Sequence, residues 1–139
     1  MRFQSHKSTC GPAALHNALE ALGTDRSEDE LSSMCGTTTD GTSEKGIKRA
    51  CKALAVSCTT ISERKFIFAR LLLFEAITTM YTAIISVDKG EHWVAVVGLS
   101  GSRFIIVDSA DNNLVLFWDY GKLEEKWSGA GNYYGIILG

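Results

Sequence analysis

Gln4-Ser-His-Lys-Ser-Thr-Cys10-Gly-Pro-Ala-Ala-Leu15 decides how this chain is read, because it sets a glutamine six residues ahead of a cysteine that opens an amphipathic helix. Gln4 is the only glutamine in the sequence and Pro12 the only proline, so neither is one of many scattered copies. Pro12 fits the first helical turn, where an N–H needs no partner. Ala14, Leu15, Ala18, Leu19 and Leu22 then recur at helical spacing until Gly23 supplies a stop, and Ser8 and Thr9 are capping types. A thiol at such a helix start sits at the positive end of the macrodipole, which favours the thiolate. A glutamine amide folded back beside the Cys10 N–H would aim two donors at one point, as negative charge developing on a carbonyl oxygen requires. A buried structural cysteine beside a surface glutamine is the plainer account of an arbitrary thiol. Here the flanking pattern argues against it.

A thiolate nucleophile needs a base that holds its proton and returns it to a leaving group, and the chain offers three histidines. His16 lies on the Cys10 helix six residues on, and at about 100° per residue it points away from the sulfur. It reads as a helix-surface or core-edge residue. His6 is near in sequence, but a loop orients a base poorly. His92 remains, at the head of His92-Trp-Val-Ala-Val-Val-Gly98, an apolar β-branched run that reads as a strand buried on both faces.

The next run, Arg103-Phe-Ile-Ile-Val-Asp108, forms the partner of a hairpin. A three-residue loop, Ser100 to Ser102, would set Leu99 against Arg103 and bring His92 and Asp108 onto one face at the far end of the pair. A two-residue loop would send them to opposite faces. Asp108 is thus the candidate that fixes the imidazole tautomer. The alternatives are a strand-edge histidine with one satisfied bond and an acid that caps a turn. Together the residues make a cysteine, histidine and acid constellation in the order Gln4, Cys10, His92, Asp108.

At these residues the chain resembles the bacteriocin-processing, double-glycine leader peptidases, a papain-like cysteine peptidase family. The resemblance is carried by Gln4 with Cys10-Gly-Pro-Ala-Ala-Leu15, by Gly90-Glu-His92-Trp-Val94, by Ile105-Ile-Val-Asp108, and by Asp40-Gly-Thr-Ser43 before a helix from Glu44 to Leu54. It implies Cys10 as nucleophile, His92 as general base and acid, Asp108 as its orienter and Gln4 in the oxyanion hole. It also implies hydrolysis of a peptide bond through a Cys10 thioester, after small residues such as Gly-Gly. Members usually follow the aspartate with proline, whereas this chain has Ser109, a difference expected to alter a turn more than the chemistry. The family domain is commonly fused to an ATP-driven exporter, and nothing in this sequence could be one, so an exporter supplied as a separate chain enters as a partner to be tested. Two other uses of the site stay open: transfer of the acyl group to an amine, as an acyltransferase or amidase, and a catalytically silent peptide-binding relative.

Composition fits a small soluble enzyme whose partner is a peptide or protein substrate. At 139 residues, 45% hydrophobic, residues 1–139 read as one domain with an ample core. A net charge of −2 gives no electrostatic case for nucleic acid. Cys10, Cys35, Cys51 and Cys58 form no Cys-x-x-Cys pair, which argues against a metal site, and no cofactor is called for. The start Met1-Arg-Phe leaves no room for a signal peptide, so reduced thiols in the cytoplasm are expected. Phe66 to Ile77, the longest apolar stretch, is broken by Arg70 and Glu75 and is too short for a membrane span.

The remaining elements follow from pattern. Ser27-x-x-Glu30 is a capping box for a helix ending near Cys35-Gly36, and a third helix runs Ser43 to Leu54. A short strand is expected over Val56 to Thr60, then a helix over Glu63 to Thr79 with Ile67, Leu71, Phe74 and Thr78 on one side. Strands follow at Thr82–Val87, His92–Leu99, Arg103–Asp108, Leu114–Trp118 and Tyr133–Leu138, with a helix over Tyr120–Trp127 capped by Asp119. Trp93, Trp118, Trp127, Tyr133 and Tyr134 could line a groove, though such aromatics more often fill a core. Helices first and an antiparallel sheet afterwards is an α+β layout with the cleft between the halves, and the resemblance implies that it is papain-like.

Overall fold

Helix ends fall where the side chains dictate them. The computed structural model describes residues 1–127 and 131–139. In α2 (Glu28–Cys35) the Ser27 hydroxyl accepts from the Glu30 N–H, the Glu30 side chain returns to Ser27, and Gly36 closes the helix at φ 66°. Ser43 accepts from the Gly46 N–H to start α3 (Glu44–Ala53). The first helix, α1 (Cys10–Ala21), is preceded by a 3-10 turn, Lys7–Thr9. Its Thr9 gives no side-chain cap, contrary to expectation, because the Thr9 hydroxyl is used inside that turn, donating to the His6 carbonyl at 2.9 Å.

Strands β1 (Cys58–Glu63), β2 (Thr82–Val87), β3 (His92–Ser100), β4 (Arg103–Val107), β5 (Val115–Trp118) and β6 (Tyr133–Leu138) form one antiparallel sheet ordered β1-β6-β2-β3-β4-β5. Alternating residues divide the core in two. Ile84, Ala95, Val107 and Ile136 pack with α1, α2 and α3. Ala83, Ile85, Val94, Val96, Phe104 and Ile106 pack on the other side with α4 (Phe66–Thr78) and α5 (Tyr120–Trp127). The helical half expected from the sequence is therefore only one layer, and a second layer covers the opposite sheet face. Strands apolar at every position, such as Ala83 to Ile85, require this, since neither face can be left to water.

Two boundaries move for stated reasons. Pairing of β1 with β6 runs from Cys58 opposite Leu138 to Glu63 opposite Tyr133, so Glu63 is drawn into the sheet and α4 starts only at Phe66. On α4 the buried residues are Ala69, Leu73, Ala76 and Ile77, while Ile67, Leu71 and Phe74 are exposed. The stripe picked out by spacing is thus the outer one. A helix apolar all round carries no periodicity to choose between its faces, and the two alanines allow the sheet to approach closely.

The hairpin between β3 and β4 turns on two residues, Gly101 and Ser102, with Ser100 opposite Arg103 and Gly98 opposite Ile105. A bulge between Val96 and Gly98 then shifts the register, so that Val96 faces Ile106 and Ala95 faces Val107. That is the register a three-residue loop would have produced. His92 and Asp108 are returned to a common side although the turn is shorter than expected.

Two glycines record close approach of backbones. A Cβ on Gly11 would lie 2.8 Å from the Thr42 Cβ, so the start of α1 is pressed against the loop before α3. A Cβ on Gly46 would lie 2.1 Å from the Cys35 carbonyl oxygen, which cannot move without parting α2 from α3. Gly46→Ala should therefore lower the unfolding free energy by about 3 kcal/mol, at the upper end of overpacking costs. Urea unfolding with an unchanged midpoint would contradict that.

Candidate active site

Four parts of the fold meet at the end of the sheet. Cys10 is the first residue of α1, seated by Leu15, Ala18 and Leu19, each fully buried, and by the Thr82 hydroxyl donating to the Ala18 carbonyl at 3.1 Å. His92 opens β3 and Asp108 directly follows β4. Gln4 lies on the N-terminal segment, which is strapped to α1 by Asn17: its carbonyl oxygen accepts from the Arg2 N–H at 2.7 Å and its amide donates to the Arg2 carbonyl at 3.1 Å.

His92 and Asp108 are joined by a 2.7 Å hydrogen bond from Nε2 to Oδ1, with the two side chains only 14% and 17% exposed. A carboxylate only accepts, so Nε2 carries the proton and Nδ1 is left for the Cys10 thiol, which hydrogen-bonds His92. Asp108 is held in turn, its Oδ1 accepting from the Ala110 N–H at 3.0 Å and its own N–H donating to the Leu114 carbonyl at 2.8 Å. The three residues form one connected path. Of the three, Cys10 lines a cavity of about 750 Å³, bordered also by Lys7, Asp40, Thr42, Glu91 and Trp93 among others.

Electrostatics separate Cys10 from the other thiols. Burial alone would push its pKa up, but hydrogen bonds from His92 and from the backbone N–H of Trp93 and of Gly11, with the His92 charge, outweigh it and bring the thiol below its ordinary value. Burial would likewise lower His92, yet the bonds and charges of Asp108 and Cys10 raise it to about 9. Asp108 is held below the usual carboxylate range; burial opposes this, and His92 and the Ala110 N–H prevail. Cys35, by contrast, is pushed up to about 11 by burial, and Cys51 to about 12 by burial and the adjacent Cys58. Those two are ordinary core thiols.

Gln4 is held close by but differently from expectation. Its Nε2 donates to the His6 carbonyl at 2.9 Å and the Lys7 carbonyl at 3.4 Å, and its Oε1 accepts from the Ser109 hydroxyl at 2.8 Å. The amide is thus tied to the segment that carries Asp108 and turns its hydrogens to the loop before Cys10. His16 is not a surface residue: it is 1% exposed, with Nδ1 2.6 Å from the Arg26 carbonyl and Nε2 3.1 Å from Glu20. It ties α1 to the connection before α2. Of the aromatics, Trp118 and Trp127 are core residues and Trp93 borders the cavity. Sequence reasoning missed the Trp93 and Gly11 N–H donors, which leave no side-chain signature, and the Ser109 hydroxyl, which meets Gln4 across 105 residues of chain. Among the described residues no group of histidine, cysteine and acid side chains could hold a metal ion, and no helix is long and apolar enough to cross a membrane.

The profile described as the Peptidase C39 family matches residues 1–131. The lactococcin-A transport/processing ATP-binding protein LcnC of Lactococcus lactis subsp. lactis is 32% identical over 108 residues, which are 76% of this chain and 14% of that protein. The chain therefore spans about a seventh of the length of that curated relative. The peptidase domain of Streptococcus ComA, a bi-functional ABC transporter involved in quorum sensing, shares the fold with a TM-score of 0.78 and 24% identity, covering 99% of this chain and 95% of that one. A double glycine motif protease from an AMS/PCAT transporter, in complex with its leader peptide, superposes with a TM-score of 0.73 at 16% identity, over 98% and 87% of the two chains.

The titration picture has a direct readout. The alkylation rate of Cys10 should rise at lower pH than that of an unactivated thiol. Asp108→Asn removes the carboxylate that raises His92, so the imidazolium is disfavoured and the Cys10 profile should move up in pH toward an ordinary thiol. An unmoved iodoacetamide profile in the Asn variant would contradict the assignment.

Proposed function

The chain belongs to the peptidase C39 family, a family of cysteine peptidases, and we propose from that premise that Cys10 is the nucleophile with which it cleaves a leader segment behind a Gly-Gly-type sequence. The observation that carries the assignment is the contrast among thiols: Cys10 is shifted toward the thiolate and adjoins an imidazole held by a carboxylate, whereas Cys35 and Cys51 are shifted away from it.

In the first half-reaction the Cys10 sulfur attacks the scissile carbonyl carbon. The oxygen takes up negative charge facing the Cys10 N–H and the Gln4 amide, and collapse breaks the C–N bond as His92 Nδ1–H passes its proton to the leaving amine. The product is a thioester. Neutral His92 then takes a proton from water, which attacks the thioester carbon, and the sulfur departs as thiolate to restore the ion pair. Asp108 keeps the proton on Nε2 throughout and favours the imidazolium. No cofactor enters any of these steps.

Gln4 must release a carbonyl to act. The bond to Lys7 is long at 3.4 Å, so that amide hydrogen is the one exchanged for the substrate oxygen. For residues 1–139 this amounts to one cytoplasmic peptidase domain, working on peptides bound for an exporter. Support comes from the relatives, which join transport and processing in one protein.

Cys10→Ala should abolish cleavage of a synthetic leader peptide containing Gly-Gly. Gln4→Ala, which removes one oxyanion donor, should lower kcat by about 10²–10³ and leave measurable turnover. Full activity in the Cys10 variant, measured by mass spectrometry of the products, would overturn the proposal. Release of an amide in the presence of an added amine, rather than a free acid, would instead mark an acyltransferase.

A further inference from the structure

The departure at position 109 is not neutral. Ser109 is 3% exposed, and it grips Gln4 at two points: its carbonyl accepts from the Gln4 N–H at 3.1 Å and its hydroxyl donates to Gln4 Oε1 at 2.8 Å. The direction of that second bond is fixed by chemistry. The carbonyls of His6 and Lys7 can only accept, so the amide NH2 must face them, its oxygen must face Ser109, and the serine must be the donor. A reversed amide would set Oε1 against the His6 carbonyl oxygen. The residue before Ser109 is Asp108, whose carboxylate holds His92. Two consecutive residues therefore hold the two groups that must act together, one on the base and one on the oxyanion donor.

We propose that Ser109 is a positioning residue for the reaction described above: its hydroxyl orients the Gln4 amide so that an N–H, not the oxygen, faces the developing oxyanion. This deepens the peptidase assignment and rests on it. A proline at this position could keep the carbonyl contact to the Gln4 N–H but could not donate to Oε1. Beside the His6 and Lys7 carbonyls, which hold the amide hydrogens, this chain thus has a further point of control over the same amide, acting on its oxygen. Because the hydroxyl is buried, water is a poor substitute once it is removed. Its loss should be felt where charge develops and not where substrate first docks.

The test uses the full chain and a synthetic leader peptide containing Gly-Gly. Ser109→Ala should lower kcat roughly tenfold, the size of one well-made hydrogen bond, with KM changed less than about twofold. Ser109→Thr, which keeps the hydroxyl, should restore most of the rate. In a Gln4→Ala background the Ser109→Ala change should have no further effect on kcat, because the amide it orients is gone. The iodoacetamide profile of Cys10 should be unchanged, since alkylation needs the ion pair but no oxyanion donor. Urea midpoints identify any variant whose loss is one of folding. Unchanged kcat in Ser109→Ala, or the same fold-loss with and without Gln4, would overturn the proposal and leave the peptidase assignment standing. A shifted alkylation profile would also overturn it, placing the effect on Asp108 instead. Absence of cleavage by the wild-type chain would remove both.

Discussion

One inserted residue in a strand governs the rest. Side chains alternate along β3 and β4, so the facing of His92 and Asp108 depends on whether an odd or an even offset separates them from the hairpin turn. The two-residue turn at Gly101 and Ser102 sets the wrong offset, and the bulge between Val96 and Gly98 corrects it. Without that correction the imidazole and the carboxylate would stand on opposite sides of a sheet whose two faces are both filled. The 2.7 Å bond between them, and through it the state of the Cys10 sulfur, follows from this adjustment.

Partial exclusion of water then does the chemical tuning. Burial by itself works against every charge at the site, raising Cys10 and Asp108 and lowering His92. Each is reversed because the charged forms are mutually bonded and meet fixed N–H dipoles from Gly11, Trp93 and Ala110. At Cys35 the Arg49 charge offsets burial only in part, and at Cys51 the neighbouring Cys58 adds to it, so for both burial prevails. The same low exposure thus yields one activated thiol and two inert ones.

Most of the elements, and the Cys10, His92 and Asp108 side chains that the fold brings into contact, were legible from the sequence because they are carried by local, strongly typed signals. Pro12 and the apolar spacing mark α1, Ser27 and Glu30 mark α2, and the β-branched runs after Thr82 and His92 mark strands. What escaped was non-local or untyped. The sequence allows a bulge in this hairpin and Gly98 borders it, but its position and its effect on register show only against β4. The exposed stripe of α4 could not be told from the buried one because both are apolar, and which side meets the sheet is settled by β1, β2 and β3. His16 reads as a surface residue until the Arg26 carbonyl, ten residues on, is brought back against it. The Gln4 amide likewise takes its orientation from Ser109, at the opposite end of the sequence.

That last contact has a topological meaning. Gln4 and Ser109 are separated by 105 residues, whereas His92 and Asp108 are 16 apart. Closing the longer loop costs the chain more entropy than closing the shorter one. The hold on Gln4 is therefore supplied only where the N-terminal segment and the end of β4 are both in place, so the amide reports on the joining of the chain's two halves.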